Sequence, residues 1–208
     1  MIPAVQGIAT QGGMGMKKLL IMAALMSAAS FVPAMAQSKD DLIAQAVSAA
    51  PEELRAGATV VNYDAKGDPV VLRAGTNGIV CTPNQNKDNY SVNCYAQVLR
   101  AQHDLQAKDK AMGKDPKATA ADVQAAMASG QLPKAPSGTT LYMLTGKTQA
   151  TARGMWMILV PGMTAQDSGL PTKPTAAGTP WLMRAGTPGA HIHIPQAAAS
   201  AGSSGAPM

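Results

Sequence analysis

Cys81 and Cys94 are the only cysteines in the chain, and they constrain the fold more than any other pair of residues. They enclose a polar stretch, Thr82 to Asn93, rich in Asn, Lys and Asp. In an oxidising compartment an even cysteine count at this separation reads as one structural disulfide. Closing such a loop stabilises a fold by roughly 3 kcal/mol in the chain-entropy picture. A redox-active pair would need Cys-x-x-Cys at a helix start, and that spacing is absent.

The compartment follows from Met16 to Ala36. Lys17 and Lys18 form a short positive region, Leu19 to Val32 is an apolar run broken only by serines, and Ala34-Met35-Ala36 offers the small residues that signal peptidase requires. Cleavage after Ala36 would leave Gln37 at the N-terminus, and no cysteine follows it for lipid attachment. Residues 1–15 are Gly-rich, uncharged and unlike the start of a signal, so Met16 reads as the true start and 1–15 as an upstream mis-start. The apolar run is shorter than the roughly 20 residues that span a bilayer, and nothing later is long and apolar enough to do so. The expected organisation is a signal peptide at 16–36, one domain at 37–196 and a small-residue, disordered tail at 197–208. The expected location is periplasmic or secreted, with no membrane span after processing.

Charge excludes one class of partner. The chain holds 17 Lys and Arg, two of which leave with the signal, against 12 acidic residues. Without a basic run or an aromatic-interleaved basic patch, there is no case for nucleic-acid binding. Aromatics make up only 3% of residues, and the single Phe, Phe31, lies in the signal. The core must therefore be built from Trp156, Trp181, four tyrosines and aliphatic residues. Met143, Met157 and Met183 read as adaptable filler, because the methionines are scattered and lack a paired copper-binding motif.

Ser38-Lys39-Asp40-Asp41 has the form of a capping box and precedes an apolar stripe, predicting a helix over about 39–50. Pro51 can open a short second turn through Arg55. Thr59 to Tyr63 and Val70 to Arg73 flank a Gly-containing turn and predict a hairpin, with a third strand at Ile79 to Cys81. Tyr95, Val98, Leu99, Gln102 and Leu105 recur at helical spacing, predicting a helix over 92–107. Lys108 to Lys117 reads as exposed. Thr119-Ala120-Ala121-Asp122 offers a second capping box for a helix ending at Gly130. Strands are expected at Thr139 to Leu144, Met155 to Val160, Trp181 to Arg184 and Ala190 to Ile194. The Met155–Val160 strand, apolar on both sides, is expected to be covered on both faces. Arg73-Ala74-Gly75-Thr76 and Arg184-Ala185-Gly186-Thr187 share wording, which raises an internal duplication, although chance matches are common in a chain this rich in Ala, Gly and Thr.

The sharpest chemical signal is His191-Ile192-His193, whose strand spacing puts both imidazoles on one face. The pair could supply two ligands to Zn or Cu, with His103, Asp104 or Asp167 as unranked completing ligands. Gly146-Lys147-Thr148 echoes the end of a phosphate loop, but Leu141 occupies the earlier glycine position. Ser137 and Ser168 lack a nucleophile-elbow pattern, and no acidic pair suggests general acid–base chemistry.

The exported N-terminus, Ala56 to Val60, Leu72 to Gly78, the Cys81/Cys94 pair, Met157 to Pro161 and the segment Pro180 to Pro195 together resemble a family of small exported bacterial proteins of unassigned function. The resemblance covers most of the chain after Ala36 and implies no activity, cofactor or catalytic residue. His191 fits its pattern, whereas the position of His193 is commonly Met.

These readings converge on a single α+β domain with an antiparallel sheet of about six strands, helices on one face and one disulfide. The expected role is a non-catalytic binding or envelope-associated module with no cofactor, its partner an unknown small molecule or envelope protein. The alternative is a His-dependent, metal-assisted enzyme centred on His191 and His193. A closed pocket beside His191 would favour the enzyme, a flat apolar patch the binding module.

Overall fold

The computed structural model describes residues 37–196; the expected signal, start site and tail lie outside them. The described chain is α+β. Helices α1 (Lys39–Val47) and α2 (Glu52–Arg55) lead into strands β1 (Thr59–Tyr63), β2 (Pro69–Arg73), β3 (Ile79–Thr82) and β4 (Tyr90–Ala96). Helices α3 (Arg100–Ala111) and α4 (Pro116–Ala128) follow, then β5 (Thr140–Gly146), β6 (Arg153–Leu159), α5 (Ala165–Ser168), β7 (Trp181–Met183) and β8 (His191–Pro195). All eight strands form one sheet in the order β2-β1-β3-β4-β5-β6-β8-β7. No described helix is long and apolar enough to cross a membrane.

The sheet is mixed, which corrects the expectation of about six antiparallel strands. β1 pairs antiparallel with β2 but parallel with β3. The chain achieves this by crossing the start of β1 after β2, so that β3 joins on β1's far side. Gly75 makes the crossing. A Cβ there would lie 2.2 Å from the Thr59 amide nitrogen, and the amides of Thr76 and Asn77 donate to the Gly57 carbonyl. Gly186, in the similarly worded segment, instead has φ +73° and open space around it. The two segments use their glycines for different reasons.

Helices cover both faces of the sheet, not one. Adjacent residues on a strand point to opposite sides, and β1 and β4 each feed two cores. Val60, Cys81, Val92 and Cys94 pack against Ala46, Val47 and Ala50 at the α1 end. Val61, Val80 and Tyr95 pack against Leu99 and Val98 on the other face, where α3 follows directly.

The helix expected over 92–107 is a strand followed by a helix. Cys94 faces Cys81 across the β3–β4 ladder, and Tyr142 of β5 lies opposite Cys94 on the other side. Strand pairing along both edges outweighs the local helical spacing, so a 3-10 turn at Gln97–Leu99 precedes α3. The disulfide is present, with Cα atoms 4.0 Å apart and both cysteines fully buried.

The Lys108–Lys117 segment is not all exposed. α3 runs through it to Ala111, and Asp109 is fully buried, its Oδ1 2.8 Å from Lys114 Nζ. Lys114 also reaches Asp122 of α4 at 2.6 Å, so one lysine ties the two helices together. α4 starts earlier than expected because Asp115 caps the Lys117 and Ala118 amides and Pro116 takes the first helical position.

Candidate functional site

Strand alternation on β8 places His191 and His193 on the α3 face of the sheet and Ile192 on the other, where it joins the Leu182 and Val160 cluster. Cross-strand register then decides their neighbours. His193 lies opposite Met157 of β6 and opposite Trp181 of β7; His191 lies opposite Leu159 and Met183. One row across this face runs Val80, Tyr95, Leu141, Met157, His193, Trp181. Its first two members are 0% exposed, and the last four are partly exposed.

The reason is coverage. On this face Leu99 and the His103 ring of α3 cover Val80 and Tyr95, α1 lies over β1 to β4 on the opposite face, and no described helix makes more than marginal contact with β6, β7 or β8. β6 is consequently half-buried along almost its whole length, not enclosed on both faces as its apolar pattern predicts. Met143 and Met155, paired across β5 and β6, stand one row along on the same side.

The two imidazoles differ. His191 Nδ1 lies 2.8 Å from the Gly189 carbonyl oxygen. A carbonyl only accepts, so Nδ1 carries the proton, and in the neutral ring Nε2 keeps its lone pair. In His193 both ring nitrogens are shielded and without hydrogen-bond partners. Its ring centroid is 4.7 Å from that of His191 and 4.8 Å from that of Trp181. Burial, then the neighbouring charge of His191, pushes the His193 imidazole down to about 4.

The other candidate ligands are elsewhere. His103 stacks on Tyr95, and Asp104 accepts from Tyr63 Oη and Arg100 Nε, each at 2.8 Å. Asp167 closes the capping box of α5, accepting from the Thr164 amide at 3.1 Å and from Thr164 Oγ1 at 2.6 Å. Among the described residues no cluster of three or more His, Cys, Asp or Glu could hold a metal ion.

A second feature lies between α3 and the sheet. A cavity of about 190 Å³ is lined by Tyr63, Thr82, Asn93, His103, Gln106 and Lys110, among others. The His103 Nε2 has no partner, and burial pushes this imidazole down to about 4. Both tyrosines beside it, Tyr63 and Tyr95, are held protonated by burial.

Sequence reasoning passed over Met157, Met155, Met143 and Trp181 as site residues. The β6 pattern Met-Trp-Met was visible, but its alignment with β8 and β7 depends on a pairing that no local signal encodes.

No family model, curated protein or solved structure matches the chain. What it does must therefore be read from its own residues.

Proposed function

We propose that this chain is an exported, non-catalytic binding module that engages its partner through the open end of the sheet. The observation that carries this reading is the contrast along one strand row, sealed at Val80 and Tyr95 and partly exposed from Leu141 to Trp181. His191 and His193 lie on this partly exposed face, and none of their cross-strand partners, Leu159, Met183, Met157 and Trp181, is ionisable. Such a surface can bind, but it brings no nucleophile together with a positioned base. Export is supported by the signal-like segment at 16–36 and by the buried cystine.

Methyl NMR of the full chain labelled at methionine tests the surface. On titration with soluble extract from the compartment that holds the protein, shifts should concentrate at Met143, Met155, Met157 and Met183. Shifts confined to Met112 and Met127, or no shifts at all, would refute the reading. Turnover of a screening substrate that disappears in His191→Ala would move the enzyme alternative ahead of it.

A further inference from the structure

We propose that the open face carries a binding site for a soft monovalent cation of the Cu(I) or Ag(I) class, held by Met157 Sδ, one ring nitrogen of His193 and His191 Nε2, with the Trp181 ring against it. This names the ligand class of the face already proposed to bind, and rests on that proposal.

Donor chemistry selects the ion. Thioether sulfur is a soft, neutral ligand that suits Cu(I), and imidazole is compatible with it. Directly opposed strand residues have Cβ atoms about 4.5–5.5 Å apart, and Met157 opposes His193. The unbranched methionine side chain can swing its sulfur over that span without moving the backbone. No aspartate or glutamate lies opposite either histidine, so the site lacks the oxygen donors that hard divalent ions prefer.

Two further observations point at the same ion. His193 holds two shielded nitrogens with no partner, an arrangement that costs stability in a folded protein and calls for a reason. A bound cation would satisfy one of them. His191 is already oriented for ligation, because its Nδ1–H is committed to the Gly189 carbonyl, the arrangement by which ligating histidines are commonly fixed. Trp181, 4.8 Å from His193 by ring centroid and tilted 48° to it, puts an aromatic ring within cation–π reach of that imidazole. Met155 and Met143 add thioethers one row away.

The test is an anaerobic titration of the full chain with Cu(I) delivered from a competing chromophoric chelator, alongside calorimetry with Ag(I). One tightly held ion per chain is expected. Met157→Leu and His193→Phe should each weaken it by about tenfold or more, while Met163→Leu, in the cluster on the opposite face, should leave it unchanged. In a Trp156→Phe background the remaining Trp181 fluorescence should be quenched on binding. Zn(II) should bind more weakly and ignore Met157→Leu.

A natively folded chain that takes up no ion, or one whose affinity survives Met157→Leu combined with His193→Phe, overturns the metal site. If the methionine methyls then still respond to chelator-treated extract, the binding reading stands without the metal. Silence in both experiments removes both.

Discussion

Tyr95 and His103 stack face to face, ring centroids 3.6 Å apart and planes within 7° of parallel. The contact seats α3 on the sheet and places an imidazole where charging it is costly. In the unfolded chain this group titrates near 6.5, and burial lowers it to about 4 in the fold. Its contribution is therefore complete above pH 6.5 and is lost as the pH falls to about 4.

Denaturant midpoints across that window should show the loss. For His103 it approaches about 3 kcal/mol once the pH is below both values. His193, also lowered to about 4, adds a smaller share because it is only partly buried. His103→Phe, which keeps a stacked ring and removes the titration, should flatten the acid limb. An acid limb unchanged in that variant would show that the loss originates elsewhere.

The cystine joins directly opposed residues of β3 and β4. Cys81→Ala with Cys94→Ala should destabilise by about 3 kcal/mol, which for a chain of this size lowers the melting temperature by roughly 10 °C. Both cysteines are fully buried, so reductant should act on the native protein only at the rate of opening. Thermal melts of the double variant measure the first effect, and thiol labelling with time under reductant, with and without denaturant, measures the second.

Gly75→Ala and Gly186→Ala should separate two uses of glycine within similar wording. At Gly75 the new methyl would collide with the backbone of Thr59 and Ala58, and a loss of about 3 kcal/mol or more is expected because backbone cannot yield as a side chain can. At Gly186 the space is open and only the positive φ resists, for about 1 kcal/mol. Equal losses by chemical denaturation would contradict the crossing described at Gly75.

Asp109 and Lys114 form an asymmetric pair, with side chains 1% and 36% exposed. Lys114→Met would leave a buried carboxylate unpaired and should be the more destabilising of the two changes. Asp109→Leu leaves Lys114 beside Asp122 and in contact with water, and should destabilise less. Calorimetric melts of the two variants compare these directly.

Local chemistry was legible where neighbours in sequence are also neighbours in space. Ser38 and Asp41 form the capping box that starts α1, the hairpin of β1 and β2 turns at Gly67, and the two cysteines that enclose one polar stretch become a cystine. The strand spacing of His191 and His193 likewise sufficed to put them on one face.

Longer-range decisions were not encoded locally. Residues 92–96 carry helical spacing, yet become a strand because β3 and β5 satisfy their backbone on both edges. The apolar β6 is left half-open because the helices lie over the other half of the sheet. Scattered methionines become neighbours of a histidine and a tryptophan through the register of β5, β6, β8 and β7. Capping and turn formation are short-range and depend on residue type. Strand order and coverage depend on which distant surfaces bury each other best, so the sequence determined the pieces and the tertiary structure decided which of them meet.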